Sequence, residues 1–124
     1  MKDIFLTGTD RTPEVRLSAT EGKIVFKGKS IPENTNLFYD DIIKWLETYT
    51  LNPKYYTEVK IQMEYFNTMT SKCLHEIFKV LEKTKGNIEI LWYYEEDDED
   101  MLEVGEDFEN IIDLQFKMIE VEEL

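Results

Sequence analysis

The chain is short of the residues that most often carry chemistry or covalent bracing. A single cysteine, Cys73, excludes an internal disulfide, and with a single histidine, His75, it leaves no Cys/His set for zinc. On a helix, residues two apart point about 200° away from each other, so this pair does not make a nucleophile and its base. Cys73 reads as packing at the edge of the core and His75 as an exposed helix residue. There is no Gly-rich phosphate loop after a strand, no G-x-S-x-G elbow and no H-E-x-x-H. No catalytic residue and no cofactor site is identified. No apolar run approaches the length of a membrane span, and the opening "MKDIFLTGTD" lacks the apolar stretch of a signal peptide. The expectation is a cytoplasmic protein without membrane insertion.

Positive charge is scarce as well, with 14 Lys and Arg against 27 Asp and Glu and a formal net charge of −13. The imbalance is local. Ten of the fifteen residues from Glu95 to Glu109, "EEDDEDMLEVGEDFE", are acidic and none is basic, and the tail "EVEEL" adds three acids. Without these two segments the chain holds 14 acidic and 14 basic residues. Nucleic acid and anionic membranes are disfavoured partners, because a phosphate-binding surface must be basic. Within the acidic segment, Asp97, Asp98 and Asp100 offer oxygen ligands, yet the Asp-x-Asp-x-Asp-Gly calcium pattern and its twelfth-position Glu are missing. The segment reads as a solvated helix start, favoured by the helix dipole, and as a surface for docking a basic partner. No metal site is assigned.

What is present suffices for one core. At 124 residues, 42% hydrophobic and 13% aromatic, the chain is read as a single domain spanning 1–124. "PEVRLSAT" and "KIVFKGKS" alternate around Glu21-Gly22 as a hairpin, with Val15 and Leu17 facing the same way as Ile24 and Phe26. A short strand over Ile4 to Leu6 precedes it. Phe38, Ile42, Trp45, Leu46 and Tyr49 recur at helical spacing over about Asn36 to Thr50, and Asn52-Pro53 ends that helix. Thr57, Val59, Ile61, Met63 and Tyr65 then alternate with polar residues as a strand wet on one face. Leu74, Ile77, Phe78 and Leu81 stripe a second helix, from near Met69 to about Lys83, with Gly86 punctuating the turn beyond it. "NIEILWYY" is apolar enough on both faces for a central strand. Met101, Val104, Gly105, Phe108, Ile111 and Ile112 space as a third helix, and "LQFKMIEV" closes the chain as a strand. An opening hairpin followed by alternating strands and helices implies an α/β fold: a mixed sheet with three helices packed mainly on one face.

Between the wet-faced strand and the second helix, "NTMTS" has neither Gly nor Pro, and four of its five side chains are small and polar. Capping explains one of them, since Asn, Thr or Ser satisfies the free amides of a helix start. No capping box is completed, because Thr70, Cys73 and Leu74 stand three residues after Asn67, Thr70 and Ser71. The surplus hydroxyls of Thr68, Thr70 and Ser71 suit either a bare cap or a phospho-acceptor, since a helix N-terminus receives a phosphate well.

Five collinear motifs sharpen that choice: "GTDRTPEV" at Gly8 to Val15, "IPEN" at Ile31 to Asn34, "YFNTMTSK" at Tyr65 to Lys72, "WYYEEDDEDMLEVGEDF" at Trp92 to Phe108, and "LQFKMI". In these the chain resembles the SiaC family of bacterial regulatory phosphoproteins over essentially its whole length. The resemblance implies a STAS-like domain similar to anti-sigma-factor antagonists. It also implies a non-enzymatic partner switch in which a Ser/Thr kinase phosphorylates the protein, a PP2C-type phosphatase reverses it, and the unmodified form activates a diguanylate cyclase controlling biofilm formation. The family's acceptor threonine falls on Thr68, with Asn67 capping the helix beside it. Met69 and Thr70 stand where family members often have two serines, which leaves Thr70 and Ser71 as alternative acceptors. Two other functions remain open at this point: a small metal-dependent hydrolase using the acidic segment, and a constitutive assembly module without phosphorylation.

Overall fold

The computed structural model describes residues 1–84 and 86–124. Nine elements follow one another: β1 (Ile4–Leu6), β2 (Glu14–Ser18), β3 (Lys23–Ser30), α1 (Thr35–Tyr49), β4 (Tyr56–Phe66), α2 (Thr68–Glu82), β5 (Asn87–Glu95), α3 (Glu99–Ile111) and β6 (Gln115–Val121). Their strands form one six-stranded sheet in the order of the chain. β1, β2 and β3 pair antiparallel, and β3 to β6 pair parallel. Gly22 supplies the positive φ, +66°, that closes the β2–β3 turn. Because the parallel strands are laid down one after another in a single direction, three right-handed crossovers bring α1, α2 and α3 to the same face. Among the described residues no helix covers the other face.

The expected alternation is what the sheet buries. Val15, Leu17, Ile24, Phe26, Val59, Ile61, Ile90 and Trp92 are under the helices, joined there by Ile42, Leu46, Leu74, Ile77, Phe78 and Leu81. Two expectations need correction. Tyr65 was expected on the buried face of its strand, yet it is 57% exposed. The register gives the reason: Gly28 pairs with Met63 but Lys29 pairs with Tyr65, so Glu64 is an extra residue in β4. This bulge reverses the alternation, delivering Phe66 to the helix side, where its ring meets Trp92 edge-on at 6.1 Å. β5 was expected to sit inside the sheet, apolar on both faces, and it is flanked by β4 and β6. On its uncovered face Leu91 is buried all the same, because its register neighbours are Lys60 and Lys117, whose aliphatic stems can lie over it. Ile111 was placed in the apolar stripe of the third helix, yet it is 61% exposed. The helix ends there, and the extended backbone of Ile112 (φ −106°, ψ 130°) carries that side chain into the core instead.

α3 is seated on a tryptophan. The fully buried Trp92 donates its indole N–H to the Met101 carbonyl at 3.0 Å, and Phe108 packs against it at 5.7 Å between centroids. Gly105 makes this close approach possible, since a Cβ there would stand 2.5 Å from the Trp92 ring.

Candidate functional site

The motif-bearing segments meet at one end of the molecule, beyond the carboxyl ends of the parallel strands, where open α/β sheets commonly place their sites. The loop before β2 reaches the exit of β3 through the Ile31 N–H, which donates to the Arg11 carbonyl at 2.8 Å. The exit of β3 is tied to the start of α2 by the Asn67 N–H, which donates to the Ser30 carbonyl at 3.1 Å. The start of α3 closes the group, since Asp98 and Asp100 border a hollow shared with Tyr65 and Phe66.

The helix start at the centre of this group is built as the sequence suggests. Asn67 has extended backbone, and its side-chain oxygen accepts the Thr70 N–H at 2.8 Å, so it is the N-cap. Helical geometry then separates the hydroxyls. Thr68, the first residue of the helix, is exposed, and Met69 beside it is 41% exposed. Thr70 lies about 200° further round the helix and is fully buried. Ser71 is half-buried.

Thr70 is therefore misplaced among the alternative acceptors, and its hydroxyl is already in use. It donates to the Ser30 carbonyl at 3.0 Å and lies 2.9 Å from the Ser30 hydroxyl, which is 2.7 Å from the Tyr39 hydroxyl. Three hydroxyl protons serve three hydrogen bonds, and one arrangement satisfies all of them: Tyr39 donates to Ser30 Oγ, Ser30 to Thr70 Oγ1, and Thr70 to the carbonyl. The network joins β3, α1 and α2 directly beneath Thr68. Burial pushes the Tyr39 phenol far above its ordinary pKa, so it stays a neutral donor. Ser30 and Tyr39 were not singled out from the sequence. A signal for Tyr39 was present, because Thr35, Tyr39, Ile42, Leu46 and Tyr49 make a better helical stripe than one begun at the half-buried Phe38. No signal marked Ser30, which depends on the β4 bulge for its partner Phe66.

The remaining chemistry-bearing residues are dispersed. Cys73 is buried on the side of α2 facing α1, with its sulfur 3.9 Å from Asn36 Oδ1. Burial, aided by the carboxylates of Glu76 and Asp40, pushes its thiol up, away from the reactive thiolate. His75 is exposed. Asp98 spends a carboxylate oxygen capping α3 through the Met101 N–H at 3.0 Å, and Asp97 and Asp100 are exposed. Among the described residues no three His, Cys, Asp or Glu side chains are grouped to hold a metal ion, and no helix is long and apolar enough to cross a membrane.

The family model described as SiaC family regulatory phosphoprotein matches residues 6–121. An uncharacterised protein of Pseudomonas aeruginosa strain UCBPP-PA14 is 26% identical over 111 residues, 87% of this chain and 88% of that protein. Among solved structures, SiaC of Pseudomonas aeruginosa superimposes with a TM-score of 0.89 at 23% identity, covering 98% of this chain and 100% of its own. The structure of the diguanylate cyclase SiaD in complex with its activator SiaC from Pseudomonas aeruginosa gives 0.90 at 24% identity, over 96% of this chain and 100% of that one.

Proposed function

The chain belongs to the SiaC family of regulatory phosphoproteins, and from that premise we propose that it is a cytoplasmic, non-enzymatic partner switch controlled at Thr68. A Ser/Thr kinase phosphorylates Thr68, a PP2C-type phosphatase removes the group, and the unmodified protein binds and activates a signalling effector such as a diguanylate cyclase. The observation that carries the choice of residue is the division of labour among the hydroxyls. Asn67 caps the helix, Thr70 is locked in the buried network, and Thr68 alone of the two threonines is exposed.

The physical mechanism is local. A phosphate on Thr68 adds about −1.5 to −2 charges at the first residue of α2. The helix dipole favours an anion there by about 0.3–1 kcal/mol. The Asn67 cap and the Thr70 network lie on other sides of the same turn, so the group changes the docking surface and leaves the fold in place. Co-expression with the kinase, followed by intact-mass measurement and peptide mapping, tests the assignment. One added phosphoryl group that maps to Thr68 and vanishes in Thr68→Ala is expected. An unmodified protein, or a phosphoryl group that persists in Thr68→Ala, overturns it.

A further inference from the structure

We propose that the uncovered face of the sheet is a docking surface in its own right, which takes an acidic segment of a protein partner laid across the strands. The register sets one residue of each strand, β1 to β6, in a single row on this face: Phe5, Arg16, Val25, Lys60, Leu91 and Lys117. From β2 onward cation and aliphatic residue alternate strand by strand, and no acid stands in the row. At about 4.8 Å per strand the row is about 24 Å long, with its three cations about 10 Å apart. Lys23 and Lys27 lie two residues to either side of Val25 on β3 and point the same way. Four cations therefore surround one half-buried valine, in a chain whose net charge is −13.

The neighbouring acids do not cancel them. Glu14 pairs with Arg16 at 3.1 Å and Glu58 with Lys60 at 3.7 Å, whereas Lys23, Lys27 and Lys117 have no ion pair among the described residues. Four cations against two acids leave a local excess of two positive charges around Val25. Apolar surface is open beside it. Phe5 is 58% exposed, with the Arg16 guanidinium 4.7 Å from its ring centroid, and a hollow of about 390 Å³ separates Phe5 from Lys23 and Lys60. Of the two acids bordering that hollow, Asp3 is engaged by the Ser18 hydroxyl and the Ala19 N–H, both at 3.1 Å, and Glu21 is the other.

Charge and spacing select the occupant. Nucleic acid and anionic membranes present dense phosphate to the field of the whole molecule, which repels them. A short segment with a few carboxylates meets only the local excess. Carboxylates about 10 Å apart with an apolar side chain between them match Arg16, Val25 and Lys60 and then Lys60, Leu91 and Lys117. A helix supplies that pattern as acids at i, i+7 and i+14 with apolar residues at i+4 and i+11, because seven residues rise about 10.5 Å. The row lies across the sheet from α2, so the inference does not depend on the role of Thr68.

The full chain is titrated, with amide NMR as readout, against a helical peptide of about 15 residues carrying Glu at i, i+7 and i+14 and Leu at i+4 and i+11. A control peptide carries Lys in place of Glu. Saturable shifts at Val25, Lys60 and Leu91 with the Glu peptide alone are expected, with affinity retained in Thr68→Glu and weakened about fivefold or more in Lys60→Glu and in Lys117→Glu. Both lysines reach solvent, and an unchanged spectrum away from the row verifies each variant's fold. Absence of saturable shifts, an equal response to the Lys peptide, or an affinity that survives both charge reversals or is lost in Thr68→Glu would each overturn the proposal. So would concentration-dependent shifts of the same amides in the chain alone, which make a second copy the occupant, or the same shifts with phosphatidylserine vesicles, which make it a membrane surface.

Discussion

The proton order in the buried hydroxyl network predicts an order of mutational cost that geometry alone would not give. Ser30, Tyr39 and Thr70 are all fully buried. In Tyr39→Phe the Ser30 proton still goes to Thr70 and the Thr70 proton to the Ser30 carbonyl, so every remaining donor is paired. The loss is one hydrogen bond, about 0.5–1.5 kcal/mol. In Thr70→Val, which keeps the side-chain shape, the Ser30 and Tyr39 hydroxyls share one contact and one of their two protons has no acceptor. In Ser30→Ala the Tyr39 proton is stranded. An unsatisfied buried donor costs about 1–3 kcal/mol beyond the lost bond, so these two variants should lose about 2–4 kcal/mol. Urea unfolding followed by tryptophan fluorescence reads the difference. At a slope of about 2 kcal/mol/M, the severe variants shift the midpoint by about 1–2 M and Tyr39→Phe by about 0.3–0.8 M. A Tyr39→Phe variant as damaging as Thr70→Val would refute the donor assignment.

Two further outcomes follow from other contacts. Gly105→Ala gains about 1 kcal/mol of helix propensity, but its Cβ would stand 2.5 Å from Trp92 Cδ1 and 2.6 Å from Nε1, against a ring that cannot retreat. Overpacking of about 1–3 kcal/mol or more should dominate, read as a lower urea midpoint and altered tryptophan emission; an unchanged or raised midpoint refutes the seat described for α3. Glu82 accepts from Lys79 Nζ at 2.7 Å and from the Asp113 N–H, and these bonds, Lys79 first, hold its carboxyl below the ordinary range. A depressed folded pKa means stabilisation present at neutral pH and lost as pH falls through the folded value. The midpoint gap between wild type and Glu82→Gln should therefore close on acidification, and a gap constant with pH would count against the ionised acceptor.

The element order was legible because hydrophobic period changes cleanly from two to 3.6 along the chain, and what escaped was set by single residues between periods. "EYF" at 64–66 offers two adjacent aromatics, and nothing in it says which faces inward once Glu64 is extruded as a bulge. Ile111 and Ile112 both fit three or four residues beyond Phe108, and only the end of the helix separates them. Thr70 differs, because its burial was readable: counting back from Leu74 by four and from Ile77 by seven lands on it, which places Thr68 on the wet side. What no periodicity could show is the partner of that burial. Ser30 lies forty residues away on another element and meets Thr70 only through the parallel pairing of β3 and β4.

The helix α3 unites these observations, because alone it is a poor helix. Gly105 interrupts it, Glu106, Asp107 and Glu109 crowd its negative end, and no basic residue lies in its last turn. Only the acids of its first turn, Glu99 and Asp100, agree with the dipole. Its hold on the sheet comes from the Trp92 indole, Phe108 and the Asp98 cap. The glycine is accounted for by the close approach to Trp92, but the carboxylates of the second half make no such contribution to the fold. Screening by salt should therefore stabilise the protein, read as a urea midpoint that rises with NaCl, and a midpoint that falls or stays constant would refute the crowding.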